Sequence, residues 1–220
     1  MAKNKGKFIV IEGIDGTGKS TQAKLLYNYL KKQKIPAVLT SFPRYKSAWG
    51  KMVRAYLDGE FGTLAEVSPR LASALYAGDR LLASFEINKW LAEGKVVVCD
   101  RYAASNVAHQ AGKFKDAKAR REFVSWLENL EYVENKIPKP DAVILLTIPT
   151  NMAQKFMKKR KMDIHETGIS YQAAVADAFL AYAKAKKNWI KVSNVNGEKL
   201  KGLKEVSEEV VAILKAKKFI

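Results

Sequence analysis

The sequence predicts an α/β fold in which a five-stranded parallel sheet is flanked by helices. Three observations carry this expectation. Five short segments, 7–11, 37–41, 96–99, 142–147 and 189–193, are apolar, rich in β-branched residues and largely continuous, the pattern of strands covered on both faces. Stretches with helical spacing lie between them, and strands alternating with helices imply right-handed crossovers and a parallel sheet. Between the first strand and the first helical stretch, a loop sets Gly13, Gly16 and Gly18 among Asp15, Thr17 and Lys19.

Taken in order, strand 7–11 and its loop lead to an apolar stripe of Leu25, Leu26, Tyr29 and Leu30. After strand 37–41, Trp49, Met52, Val53, Tyr56 and Leu57 follow i, i+3, i+4, i+7, i+8 spacing. Ser68-Pro69 reads as a helix start, since proline suits the first helical position; this helix runs to about 92, where Gly94 can end it. Beyond strand 96–99, Phe123, Trp126, Leu127 and Leu130 form another stripe. Tyr171, Val175, Ala178, Phe179 and Tyr182 form the next, and the last helix is expected over 198–217. The segment KFMKKRKMDIHETG, 155–168, is a charged interruption between two stripes. There is no internal repeat and no low-complexity linker, so 220 residues are expected to form a single domain, 1–220.

Composition narrows the class. A hydrophobic share of 48% excludes a disordered or fibrous chain. No run of about 18 apolar residues predicts a membrane span. The basic start, 1–7, is followed only by a strand-length apolar run, which does not read as a secretory signal. Cys99 is the only cysteine, so no intramolecular disulfide forms, and the expected compartment is cytoplasmic. The net charge of +17 would attract polyanions, nucleic acid among them. Many lysines, however, fall in solvated helix faces and tails, such as Lys31-Lys32 and Lys215-Lys217-Lys218, and no specific nucleic-acid partner is expected.

The glycine-rich loop Gly13-Ile14-Asp15-Gly16-Thr17-Gly18-Lys19-Ser20 matches every fixed position of the phosphate-loop pattern, with a strand before it and a helix after it. This specifies a P-loop NTPase fold. Glycines let backbone N–H groups turn inward as an anion nest, and the helix adds its unpaired N–H groups and positive dipole end. The expected ATP-binding set is Gly13, Ile14, Asp15, Gly16, Thr17, Gly18, Lys19, Ser20 and Thr21. Lys19 should reach the β- and γ-phosphates, and Ser20 should hold Mg²⁺.

Three further sets point to a second anionic ligand. CDRYAASNVAHQ, 99–110, puts Asp100 and Arg101 just beyond the third strand, on the rim where open parallel sheets bind ligands. Arg101 suits bidentate phosphate contact, and Asp100, ending an apolar strand, can help position the metal. SFPRYKS, 41–47, brings Phe42, Arg44 and Tyr45 to the same rim, and LYAGDR, 75–80, puts Tyr76 and Arg80 on one helix face. Each set alone reads equally as core edge and surface charge; together they suggest a nucleotide acceptor. A kinase of the same fold acting on another nucleotide or nucleoside, and a basic nucleotide-gated module that binds nucleic acid, are the competing readings.

Across nearly its whole length the chain resembles the thymidylate kinases, through EGIDGTGKSTQ, FPRY, LYAGDR, DRYAASN, KPD before the fourth strand, and the basic segment before DIHE. The resemblance implies a mobile lid at about 155–168, a homodimer, and Mg²⁺-dependent transfer of the ATP γ-phosphoryl group to dTMP, giving dTDP and ADP in dTTP biosynthesis. It implies that Asp15 accepts a hydrogen bond from the acceptor 3′-hydroxyl and that Arg101 clamps the acceptor phosphate, with Arg44 a second clamp. Phe42 or Tyr76 would stack on thymine, with Tyr45 nearby. Arg80 would bond an exocyclic oxygen and Asn106 the ring-nitrogen edge, with Ser105 and Gln110 in the same strip. Two departures stand out, at His109 and in Phe42-Pro43-Arg44-Tyr45, where the arginine comes one place earlier than in another form of the family motif, which makes Arg44 a less secure phosphate ligand than Arg101. His109 occupies a place where relatives often have tyrosine, which bears on discrimination against a 2′-hydroxyl. Gly16 stands where some relatives carry a loop arginine, so the catalytic cation is expected among Lys158, Lys159, Arg160 and Lys161, with Arg160 the first choice. Asp163, His165 and Glu166 would anchor the lid, 192–200 would cradle adenine, and the stripe from Trp49 to Leu57 is a candidate dimer surface.

Overall fold

All five apolar runs become strands of one parallel sheet: β1 (Phe8–Glu12), β2 (Ala37–Ser41), β3 (Val96–Asp100), β4 (Ala142–Thr147) and β5 (Trp189–Ser193). The computed structural model describes residues 5–157, 169–184 and 186–220. The strand order is β2-β3-β1-β4-β5, which puts β1 at the centre. Ile9 lies opposite Val98 on one side and Ala142 on the other. Every residue of β1 is buried, and they alternate between the two faces. Ile9 and Ile11 pack with Leu26 and Leu30 of α1 (Lys19–Lys32) and with Val210 and Leu214 of α8 (Leu203–Ala216). Phe8 and Val10 pack on the opposite side with Ile87 of α3 (Pro69–Ala92) and with Tyr102. Burying each such side chain contributes roughly 1.5–3 kcal/mol, which is why a continuous apolar strand settles between two helix layers.

The helix punctuation acts as its chemistry suggests. Pro69 opens α3, and the Ser68 hydroxyl accepts the Leu71 N–H at 3.2 Å. Ser47 likewise caps α2 (Ala48–Leu57), accepting the Gly50 N–H at 2.9 Å. The α2 stripe turns inward: Val53, Tyr56 and Leu57 cluster with Ala72 and Leu75 of α3. Trp49 closes so tightly over Gly78 that a Cβ there would lie 2.4 Å from its ring. Met52 stays 43% exposed, while the rest of this stripe holds two helices of one chain together.

Three features carry no stripe in the sequence. In α4 (Ala103–Ala111) all nine residues are buried, the polar Ser105, Asn106, His109 and Gln110 with the apolar ones, so no solvated side marks it as a helix. A π-helical turn, Leu130–Glu134, extends α5 (Ala117–Asn129). Val195–Asn196 (β6) and Lys199–Leu200 (β7) form a small hairpin turning at Gly197, φ 59°, which delays α8 to Leu203 rather than 198. Between β4 and β5 run α6 (Thr150–Met157) and α7 (Ile169–Lys184). Lys158, Lys159, Arg160, Lys161, Asp163, His165 and Glu166, and with them most of the expected lid, lie outside the described residues. Among the described residues, no helix is long and apolar enough to cross a membrane.

From the sheet centre, β1 leads into α1 on one face, while its neighbour β3 leads into α4 on the other. Diverging connections open a crevice beyond the carboxyl ends of these two strands, the place where α/β sheets take ligands.

Candidate active site

The phosphate loop occupies one lip of this crevice. Gly16, at φ 81°, passes so close to α6 that a Cβ would lie 2.4 Å from the Ala153 carbonyl oxygen. Gly18, at φ 79°, is the N-cap of α1 and has no side chain to cap it, so the first N–H groups of the helix stay open to an anion. Ser20 and Thr21 stand exposed in that first turn. Lys19 is buried and donates to the Ile14 carbonyl at 2.8 Å. Burial, and then the Arg101 charge, push its ammonium down to about 8.

The other lip is the start of the β3–α4 connection. Arg101 sits at φ 64°, its N–H donating to the Ile11 carbonyl at 3.0 Å. Its guanidinium donates through Nη2 to Asp15 Oδ1 and through Nη1 to Ser105 Oγ at 3.3 Å. Burial works against that cation, but Asp15, Asp100 and Glu12 outweigh it and hold its proton more firmly than usual. Asp100 Oδ1 is buried and has no hydrogen-bond partner among the described residues.

Between the lips and α3 lies a cavity of about 320 Å³. Asp15, Phe42, Tyr45, Tyr76, Arg80, Asp100, Arg101, Ser105 and Asn106 all border it. Its phosphate-loop end is charged by Asp15, Asp100 and Arg101. At its other polar wall, Arg80 is only 2% exposed and is neutralised by Glu131, whose Oε1 and Oε2 each lie 3.1 Å from Arg80 Nε. The Asn106 amide donates to the Ser73 carbonyl at 3.1 Å and to Glu131 Oε1 at 3.3 Å, while its own Oδ1 is buried and unpartnered among the described residues. Arg44 does not border the cavity. Its backbone N–H and Nε donate to Asp79 at 2.7 and 3.1 Å, and its Nη1 reaches Glu86 at 3.4 Å, so it fastens the β2–α2 connection to α3. Gln110 is fully buried in α4, with both amide atoms unpartnered among the described residues, and does not border the cavity.

The family model for thymidylate kinase matches residues 11–209. The chain belongs to the thymidylate kinase family. It is 38% identical over 152 residues to the thymidylate kinase of Plasmodium falciparum, covering 69% of this chain and 66% of that one. It is 31% identical over 219 residues to a probable thymidylate kinase of Pyrococcus abyssi, covering 96% and 97% of the two chains. The solved structure of Candida albicans thymidylate kinase superposes with a TM-score of 0.77 at 25% identity, over 98% of this chain and 93% of that one. Thymidylate kinases are nucleoside monophosphate kinases, and membership of a kinase family implies an ATP donor.

In this thymidylate kinase family member, sequence reasoning missed two buried acids. Glu131 falls at i, i+4, i+8 with Phe123 and Leu127, so an acid on the apolar side of a stripe was the available signal. Glu12, the last residue of β1, is 0% exposed and accepts the N–H of Tyr102 and both the N–H and O–H of Ser105. Its signal was an acid closing a wholly apolar strand. His109 borders the cavity, and the Tyr171 hydroxyl donates to its carbonyl at 2.8 Å. Burial, helped by Arg101, pushes its imidazole down to about 3, so it stays neutral through the physiological range.

Proposed function

We propose that the chain transfers the γ-phosphoryl group of ATP to dTMP, giving dTDP and ADP, and that it works as a single kinase domain. The observation that carries the reading is the polarity of the cavity: Asn106, whose carbonyl oxygen is buried and unpartnered among the described residues, and Arg80 at one end, and Arg101 beside the phosphate loop at the other. Thymine presents an N3–H donor next to an O4 acceptor, which complements Asn106 Oδ1 and Arg80. Cytosine presents the reverse pair and would leave buried polar groups unpaired. Phe42 and Tyr76 supply aromatic surface for the base. Arg101 then takes the acceptor phosphate and Asp15 the sugar hydroxyl.

Lys19 and the open amides of α1 hold the donor phosphates. An oxygen of the acceptor phosphate attacks the γ-phosphorus in line, the bond to the β,γ-bridging oxygen breaks, and ADP leaves. Such a transition state needs alignment and charge more than covalent help. Asp100, with its orphaned Oδ1, and the exposed Ser20 hydroxyl fit the oxygen-donor chemistry of Mg²⁺ and would hold it. When bound, the ion neutralises charge on the donor phosphates. Arg160 is the proposed catalytic cation, on the grounds of Gly16 and the basic run alone.

A homodimer belongs to the same reading. With most of the α2 stripe turned inward, the exposed row of Leu71, Leu82 and Phe85 on α3, the last of these 69% exposed, supports a dimer surface there. Light scattering of the chain and of a Phe85→Glu variant tests it. A coupled assay with ATP and dTMP, dUMP, dCMP or thymidine tests the activity. Turnover of dCMP or thymidine at or above the dTMP rate would overturn the proposed specificity.

A further inference from the structure

We infer that Glu12 is a positioning residue of the acceptor site, aiming Arg101 at the acceptor phosphate by latching the start of α4 to the end of β1. The inference rests on the acceptor reading above and assigns a task to a side chain that reading does not use.

The first turn of α4 has no cap of its own, because its N-cap residue, Tyr102, makes no side-chain hydrogen bond there. Glu12 supplies the cap from another element. Its Oε1 accepts the N–H groups of Tyr102 at 2.8 Å and Ser105 at 3.1 Å, and its Oε2 accepts the Ser105 hydroxyl at 2.6 Å. The order of donors is fixed. Arg101 Nη1 can only donate, so Ser105 Oγ receives that hydrogen and directs its own to Glu12. Both carboxylate oxygens of Glu12 therefore act as acceptors, Oε1 of two N–H groups and Oε2 of the Ser105 hydrogen. Burial pushes the Glu12 carboxyl up, but Ser105, Arg101 and the two backbone N–H groups act against it.

Arg101 is thus tied to two consecutive residues of β1. Its N–H goes to the Ile11 carbonyl, and its guanidinium reaches Glu12 through Ser105. These ties hold a non-glycine residue at φ 64°, a conformation that needs its surroundings to fix it. The remaining tie, to Asp15, is one that the acceptor reading requires to open, since Asp15 must turn to the sugar hydroxyl. Once it does, the Glu12–Ser105 link is what keeps the guanidinium pointed at the phosphate.

The test is calorimetric binding of dTMP and of thymidine, which lacks the phosphate, to the full chain and to its Glu12→Gln and Ser105→Ala variants. The expected result is a loss of dTMP affinity of roughly tenfold in each variant, the scale of one charge-assisted hydrogen bond, with thymidine affinity unchanged within about twofold. The Michaelis constant for ATP should also stay within about twofold. Should Glu12→Gln fail to fold, Ser105→Ala decides, because it leaves both backbone caps in place. Equal weakening of dTMP and thymidine would make Glu12 a structural cap only and overturn the inference, as would unchanged dTMP affinity. If the unaltered chain does not bind dTMP, the acceptor reading falls and takes this inference with it.

Discussion

Asp15 accepts a hydrogen bond from Arg101 through the same oxygen, Oδ1, that lies 3.7 Å from the Lys19 ammonium. The carboxylate and guanidinium side chains are 11% and 20% exposed, so either charge alone would be costly. In the proposed mechanism they hold the sugar and the phosphate of the acceptor, and without it they neutralise each other. Binding becomes an exchange: a phosphate replaces the carboxylate at Arg101, and a hydroxyl replaces the guanidinium at Asp15.

Removing Asp15 should therefore damage transfer more than donor binding. In Asp15→Ala, steady-state kinetics should show kcat/KM for dTMP reduced by about 10²-fold, the cost of a misplaced acceptor, with the Michaelis constant for ATP changed less than about threefold. Kinetics like those of the unaltered chain would strip Asp15 of its assigned role.

Lys19 sets a pH limit on ATP binding. Its folded value of about 8 lies below the usual 10.5, so the free site loses its cation above that pH, whereas bound phosphates would restore it. ATP affinity should be flat below pH 8 and fall by up to about tenfold per unit above it, with proton uptake visible as a buffer-dependent binding enthalpy. The folded chain also carries fewer protons on Lys19 than the unfolded chain between these two values. This group therefore costs stability at low pH, and stability rises with pH through that window. Lys19→Arg should abolish the slope, and Lys19→Ala should nearly abolish turnover. A pH-independent ATP affinity up to pH 9.5 would contradict the burial argument.

The features legible in the sequence are those that local chemistry sets. The strands showed because β1, β3 and β4 are apolar and buried, and the half-buried edge strands β2 and β5 keep short apolar, β-branched runs. The start of α3 showed because Ser68-Pro69 is a self-contained signal. The phosphate loop showed because its pattern is contiguous in sequence, and most of the cavity wall because its polar and aromatic residues follow the ends of apolar strands or share one helix face. What did not show depends on partners distant in sequence. Arg44 reads like a phosphate ligand until Asp79, 35 residues away, is found against it. Glu131 sits on the apolar side of a stripe, and its reason is Arg80, 51 residues away in sequence. An all-buried helix such as α4 turns its polar residues, Ser105, Asn106, His109 and Gln110, inward, so they do not mark a solvated face.

That buried Arg80–Glu131 pair should be the site most sensitive to loss of one partner. Glu131→Ala leaves an uncompensated guanidinium that is 2% exposed, and breaking such a pair typically costs about 3–5 kcal/mol. Replacing both residues with apolar side chains of similar volume should recover most of that loss in urea unfolding, although thymine binding would suffer. A single variant as stable as the unaltered chain would show that the pair is not buried in solution.

Arg160 is proposed from Gly16 and the basic run of the sequence. If it bridges donor and acceptor oxygens in the transition state, Arg160→Ala should lower kcat by about 10³-fold, with a much smaller rise in either Michaelis constant. An unchanged kcat would move the catalytic cation to another residue.

Base selection should reside in Asn106. Its Nδ2 is spent on Ser73 and Glu131, which fixes the amide so that Oδ1 is the atom left without a partner among the described residues. A fixed acceptor beside the Arg80 donor is a template for N3–H and O4. The penalty against cytosine arises because its N3 lone pair would face that oxygen and its amino group would face the guanidinium. Asn106→Ala removes the template without adding a new group. The kcat/KM for dTMP should then fall by about 10- to 100-fold, while that for dCMP stays low and nearly constant, so the ratio between them collapses. Parallel losses for both substrates would mean that Asn106 supports the pocket without reading the base.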